Sequence, residues 1–316
     1  MFTRMIAPPP QLGDRARELV LELWTLMRVD WGFASERISE AFRRERGLAS
    51  RERRLVAETL YGMIRNLRKI DFALEGATGR MPSGRAREFL RYLAYSVLSG
   101  ELDFAGAAAE APTVDWAKVA RVDERIAAER DPVLRVALAR SLPDWLAKLL
   151  IAEYGDDADE LAAALAKRAP LTIRVNTLKA TREELAARLD ADGVATLPTR
   201  LSPTGLTLTS HVNVFGLGAF REGLFEVQDE ASQLVAELVA PPPGGLVVDA
   251  CAGAGGKTLA LGALLGNRGR LVALDVSGRR LQELRRRARR AGLSNVRAVE
   301  IDRDAWPEEV DRLSGR

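Results

Sequence analysis

Residues 245–258 read Gly-Leu-Val-Val-Asp-Ala-Cys-Ala-Gly-Ala-Gly-Gly-Lys-Thr. The apolar run Leu246-Val247-Val248 suits a buried strand, and the glycines after it suit a tight loop that opens a helix. Such a loop brings backbone N–H groups against a small charged ligand.

The pattern repeats downstream. Strand 246–250 precedes the glycine loop and a helix over 257–266. Strand 270–275 precedes a helix over 277–291, and a strand over 296–301 follows. Strands that alternate with helices predict parallel βαβ units.

Three chemistries compete for the loop. A phosphate loop needs a glycine, four intervening residues and then Gly256-Lys257-Thr258, and meets Cys251 at the glycine position instead. A dinucleotide fingerprint is met by Gly253 and Gly255 but has Thr258 at its third glycine position. The third reading is the S-adenosylmethionine loop of Rossmann-like methyltransferases: an acidic residue ends the strand, and small residues let the backbone approach the ligand. Asp275 ends the second strand, 19 residues after Gly256, where a carboxylate accepts from ribose hydroxyls. Asp302 ends the third strand on the side expected for the adenine. Both favour the third reading over a strand–turn–helix with no ligand. The expected cofactor-binding set is Cys251, Ala252, Gly253, Ala254, Gly255, Gly256, Lys257, Asp275 and Asp302. Lys257 either orients the loop or faces RNA or the cofactor carboxylate. Cys251 reads as a small loop residue in preference to a nucleophile.

Composition bounds the rest. The 316 residues are 47% apolar, enough for two or three domains. No apolar run nears the roughly 20 residues of a membrane span, and residues 1–10 lack the apolar core of a signal peptide. One cysteine excludes an internal disulfide and fits the reducing cytoplasm. With a single histidine, His211, a metal site is not expected, and His211 itself reads as structural. The formal charge of +3 is compatible with an anionic partner without demanding one. A monomer is the default expectation.

Upstream, apolar residues at helical spacing predict helices over 11–28, 35–46, 51–67 and 85–99, with more over 115–128 and 131–140. Val56, Leu60, Met63, Leu67 and Ile70 fall on one face. Helices over 144–154 and 159–168 come next, then a strand over 171–176. Thr181 and Glu184 form a capping box for a helix ending near 192–193. Short strands are expected over 206–209 and 212–215, and a helix over 229–239 that Pro241-Pro242-Pro243 stops. Proline patches at 8–10 and 241–243 read as linkers or caps. The fold class is multidomain: an all-α bundle over 1–143, a small α+β domain over 144–240, and the start of an α/β domain over 241–316.

Asp249-Ala250-Cys251-Ala252-Gly253-Ala254-Gly255-Gly256-Lys257-Thr258 resembles motif I of the Sun (Fmu) family of RNA cytosine-C5 methyltransferases, usually Asp-x-Cys-Ala-Ala-Pro-Gly-Gly-Lys-Thr. Residues 223–234 are similar to the segment before its catalytic domain, and Arg174-Val175-Asn176 to a strand of its preceding small domain. Asp275, Arg280-Leu281 and Asn295-Val296 match its second and third motifs. Arg53-Arg54-Leu55-Val56 and Tyr61-Gly62-Met63-Ile64-Arg65 resemble the NusB-like helical domain of the family's bacterial small-subunit rRNA member.

The resemblance implies NusB-like helices, an RNA-recognition-like α+β domain and a Rossmann-like methyltransferase domain. It also implies S-adenosylmethionine as cofactor and ribosomal RNA as partner. The implied chemistry is attack of a cysteine thiolate on cytosine C6, then methylation at C5. Both family cysteines follow the third motif, so neither maps onto a residue here. An incomplete sheet and no methyl transfer by the isolated 316-residue chain are expected. The alternative is a catalytically inactive RNA-binding protein with a remnant cofactor fold.

Arg279, Arg280, Arg285, Arg286, Arg287, Arg289 and Arg290 crowd one helix, opposite the apolar stripe of Leu281, Leu284 and Ala288. They are expected to face outward, as a solvated face or as phosphate contacts. Arg43, Arg44, Arg46, Arg51, Arg53 and Arg54 pose the same choice, and Arg174 and Asn176 are candidate RNA or domain-interface contacts. No aromatic stacking platform is legible.

Overall fold

A computed structural model describes residues 13–28, 33–210 and 212–302. The readings of residues 8–10, of His211 and of the chain beyond residue 302 lie outside these. Contacts divide the chain into two compact units, 1–167 and 168–316.

The first unit is helical throughout its described residues. It comprises α1 (Asp14–Met27), α2 (Ala34–Arg44), α3 (Ser50–Arg65), α4 (Leu67–Thr78), α5 (Gly84–Leu98), α6 (Phe104–Glu110), α7 (Trp116–Ala120), α8 (Val122–Ala127), α9 (Pro132–Ala139), α10 (Asp144–Tyr154) and α11 (Ala158–Ala166). Val56, Leu60 and Met63 of α3 and Ile70 of α4 are buried in one core with Trp24, Leu74 and Leu93. The helix expected over 51–67 therefore breaks while its apolar stripe continues. Asn66 makes the break: φ −112° and ψ 11° leave the helical region, and its side-chain amide donates to the Gly62 carbonyl at 2.9 Å. The segment 115–128 likewise splits, at Arg121. Asp103, Asp115 and Asp131 cap the N-termini of α6, α7 and α9 through their carboxylates. Helices α10 and α11 share a core with α9, formed by Val136, Ala137, Ala147, Leu150, Ala158 and Ala162. Residues 144–166 thus share a small core with α9.

Among the described residues of this unit one carboxylate is buried. Glu88 accepts from Trp24 Nε1 at 2.9 Å and from Arg91 at 3.0 Å, and it pairs with Arg28 and Arg87. Burial pushes its carboxyl up, but the hydrogen bonds and charges of Arg91, Arg87 and Arg28 outweigh that and hold it below the usual carboxylate range.

The second unit joins two sheets. Strands β1 (Thr172–Val175), β2 (Thr196–Pro198), β3 (Gly205–Leu208) and β4 (Phe225–Val227) form an antiparallel sheet in the order β2-β3-β1-β4. Ile173 and Val175 point into a core with Leu185, Leu189, Leu206 and Phe225. The helix α12 (Arg182–Ala191) starts at the Thr181–Glu184 capping box, as predicted. The strand expected over 212–215 is instead a 3₁₀ turn, Val214–Gly216, followed by the short helix α13 (Gly218–Arg221). Val214 N bonds Val212 O and Gly216 N bonds Asn213 O, so the backbone groups are used within the turn.

After α14 (Glu230–Val239) come β5 (Leu246–Asp249), α15 (Gly256–Leu264), β6 (Arg270–Asp275), α16 (Gly278–Ala291) and β7 (Val296–Glu300). The three strands are parallel in the order β5-β6-β7, with β6 buried along its length after Arg270. Among the described residues β5 is an edge. Val248 on β5 and Leu238 on α14 stay exposed, unusual for a parallel sheet, whose strands are ordinarily covered on both faces.

Candidate functional site

The loop between β5 and α15 is held from three directions. Asp275, at the carboxyl end of β6, accepts from Gly253 N at 2.8 Å through one oxygen and from Ser277 N at 2.8 Å through the other. Ala252 N donates to Leu274 O at 2.8 Å, which continues the β5–β6 contact into the loop. Thr258 donates through its hydroxyl to Asp249 at 2.7 Å, closing the first turn of α15 onto the end of β5.

Two glycines make the loop possible. Gly253 has φ 53° and Gly255 φ 92°, where residues with a Cβ are strained. At Gly255 a Cβ would also meet Leu284 Cγ at 2.8 Å, while at Gly253 its nearest neighbour would be Asp275 Oδ2 at 4.0 Å. Gly255 is thus required by packing and backbone, and Gly253 by backbone alone.

Cys251 and Lys257 are exposed, Ala252 and Gly255 buried, and Gly253, Ala254 and Gly256 half-buried. A cavity of about 280 Å³ opens on one flank of the loop, lined by Gln228, Ser232, Cys251, Ala252, Gly256 and Lys257 among others. Asp275 is buried and does not line this cavity. Its two oxygens hold about four acceptor sites, of which the loop uses two, so hydroxyl groups can still be received. Asp302 follows β7 and is exposed. The predicted set therefore converges on the carboxyl ends of β5, β6 and β7, where open parallel sheets bind ligands. The positive-φ glycines, the open flank and the spare acceptor capacity of Asp275 fit a nucleoside with a charged tail.

One support of the loop was not legible in the sequence. Arg287 of α16 donates through Nη1 to Ala254 O at 2.8 Å and through Nε and Nη2 to Glu226 of β4 at 3.2 and 3.0 Å. Arg290 pairs with the other Glu226 oxygen, and Glu226 itself is almost fully buried. The expectation that the α16 arginines all face outward is thus corrected: Glu226 draws Arg287 and Arg290 inward, where a buried carboxylate requires partners.

Arg174 and Asn176 are interface residues within the second unit. Arg174 donates to the Gln228 side chain at 2.7 Å, and Asn176 bridges Gly223 O and Ala291 O at 2.9 and 2.8 Å. Burial pulls the Arg174 guanidinium down to about 10, Glu226 holds it up in part and Arg287 opposes its charge, so it stays protonated at neutral pH. Of the basic patch at 43–54, Arg53 donates to the carbonyls of Leu48 and Glu45, and Arg44 pairs with Glu22. Those two shape the fold.

In the first unit, a cavity of about 680 Å³ is lined by Lys69, Asp123, Arg140 and Asp159 among others. Lys69 pairs with Asp123 and Arg140 with Asp159, so these charges are compensated. Among the described residues no group of His, Cys, Asp or Glu could hold a metal ion, and no helix is long and apolar enough to cross a membrane.

Two family models match the chain. Residues 142–215 match the ferredoxin-like domain of RsmF/B-like methyltransferases, and residues 236–313 match the 16S rRNA methyltransferase RsmB/F model. The chain is 31% identical to the probable ribosomal RNA small subunit methyltransferase B of Synechocystis, over 81% of the chain and 62% of that protein. It is 33% identical to the ribosomal RNA small subunit methyltransferase B of Xylella fastidiosa, over 78% of the chain and 59% of that protein. The chain thus spans about three-fifths of the length of these relatives. The crystal structure of PH0851 shares the fold, with a TM-score of 0.72 and 24% identity over 95% of the chain and 72% of that structure. A methyltransferase homolog from Pyrococcus horikoshii matches with a TM-score of 0.51 and 30% identity over 54% of the chain and 56% of that structure.

Proposed function

The chain belongs to the RsmB/F (Sun) methyltransferase family, and from that premise we propose that its second unit is the cofactor-binding side of an S-adenosylmethionine-dependent RNA methyltransferase. The observation that carries the reading is the clasp of Gly253 N on Asp275 at 2.8 Å. It lays the loop backbone across the end of β6 and leaves acceptor sites for ribose hydroxyls.

The bound cofactor would supply the methyl group as a sulfonium. Around it, Asp275 would receive the sugar and Asp302 the adenine side. The backbone of residues 251–256 would border the methionine part, with Lys257 near its carboxylate. The substrate class is ribosomal RNA with cytosine C5 as acceptor. The names of the relatives support the ribosomal part, and the motif I resemblance supports the cytosine part. No residue among those described is assigned as the nucleophile. Cys251 stays a loop residue, with its neighbour Ala252 tied to Leu274 and Gly255 by backbone bonds.

Photocrosslinking with radiolabelled S-adenosylmethionine tests the reading. Label is expected in peptides covering 249–258 and 270–280, competed by unlabelled cofactor but not by ATP. Label competed by ATP alone would replace the methyltransferase reading with that of a nucleotide-binding loop.

A further inference from the structure

A second site lies on the outer side of Glu226. A cleft of about 230 Å³ is lined by Phe215, Phe220, Glu226, Val227, Glu283, Arg287 and Arg290. Three of its features are unusual together.

The first is charge. Arg174, Arg287 and Arg290 all surround Glu226, the carboxylate to which Arg287 and Arg290 are bound. Glu283, on the cleft wall, is paired with Arg286, and Glu237 acts on Arg174. Counting Arg174, Arg286, Arg287 and Arg290 against Glu226, Glu237 and Glu283, one positive charge is left over in the cluster. Half-buried guanidinium groups are stabilised by partners that bring negative charge and acceptors.

The second feature is an unmet donor. The Nε of Arg290 is buried without a hydrogen-bond partner, and its guanidinium lies over the Phe220 ring, 3.9 Å from the centroid. The planar group is stacked and preorganised, with Nη2 on Glu226 and Nε unused.

The third is Phe215. Its side chain is 62% exposed at the tip of the 3₁₀ turn, yet its ring is fixed edge-on against Phe220 at 5.1 Å. A lone exposed apolar residue needs no explanation. A fixed phenyl ring beside stacked arginine has the composition of sites where unpaired bases of RNA stack and phosphates pair with guanidinium groups.

We infer that this cleft binds one unpaired nucleotide of RNA, its base against Phe215 and its phosphate paired with Arg290. The inference rests on the RNA reading above and extends it to residues outside the cofactor loop. Because Arg287 also holds Ala254, the nucleotide would sit one side chain away from that loop.

The test uses the full chain and a fluorescein-labelled single-stranded RNA read by anisotropy, with S-adenosylmethionine affinity measured in parallel. Phe215→Ala is expected to weaken RNA binding about tenfold, the loss of one stacked base, and to leave cofactor affinity unchanged. Arg290→Met is expected to lower the slope of log affinity against log salt by about one. Since Arg290 also pairs with Glu226, the exposed Phe215 variant decides if the arginine variant unfolds. RNA binding of Phe215→Ala equal to that of the unaltered chain would overturn the site while leaving the RNA reading intact. No RNA binding by the unaltered chain would overturn both.

Discussion

Arg287 donates through Nη1 to the Ala254 carbonyl at 2.8 Å while its Nε and Nη2 both donate to one oxygen of Glu226. The antiparallel sheet is thereby wired to the glycine loop through one side chain of α16. Arg287→Met keeps the apolar stem and removes the wire. It is expected to weaken S-adenosylmethionine binding about tenfold, with a stability loss of about 1–3 kcal/mol from the unmet partners. Arg287→Lys should recover only part, because a lysine lacks the fork that reaches both partners. Calorimetry on the three proteins checks this, and cofactor affinity unchanged in the methionine variant would refute it.

The two positive-φ glycines of the loop separate strain from crowding. Gly253→Ala adds only a left-handed alanine, at about 1–2 kcal/mol, since nothing stands near its Cβ. Gly255→Ala adds the same strain plus a Cβ 2.8 Å from Leu284 Cγ, about 1–3 kcal/mol more. Denaturant unfolding should rank Gly255→Ala well below Gly253→Ala. The reverse order would contradict the loop geometry.

Glu88 links the helical unit to pH. Its folded carboxyl is held low, so its contribution is fully present above the unfolded value of about 4.3 and is lost as pH falls through the folded one. Trp24 fluorescence should report an acid transition of the helical unit below about pH 4. Glu88→Gln should flatten that transition and cost about 1–3 kcal/mol at neutral pH, because Arg91, Arg87 and Arg28 lose a charged partner while Arg91 keeps Asp71. An acid transition unchanged in the variant would assign it to another carboxylate.

Asn176 offers a local test of how the two sheets are joined. Its amide donates to Gly223 O and Ala291 O, and Asn176→Ala strands two buried carbonyls. The expected cost is about 1–3 kcal/mol, confined to unfolding of the second unit. Hydrogen exchange should rise in α16 and leave α1–α5 unchanged, and an equal rise in both units would argue against the assignment.

Much of the α/β part was legible because local signals agree there. Strand 270–275 and the Thr181–Glu184 cap stand where spacing predicts them. The misses have physical causes. At Asn66 the apolar stripe runs straight through a break, so periodicity alone predicts one helix where there are two. Val212 to Phe215 has strand-like composition, but its backbone groups are satisfied within a turn. The inward arginines of α16 were invisible because their partner, Glu226, is 61 residues from Arg287 and 64 from Arg290 in the chain. The Phe215–Phe220 pair was missed because two aromatic residues five apart form a platform only once the turn folds back.

The grip of Asp275 on the loop is the point on which the functional reading rests. Titration of S-adenosylmethionine into the full chain and its Asp275→Asn variant in a calorimeter addresses it most directly. One-site binding by the unaltered chain, weakened at least tenfold in the variant, is predicted. Absence of heat from the folded, unaltered chain, or equal affinity in the two proteins, would contradict it.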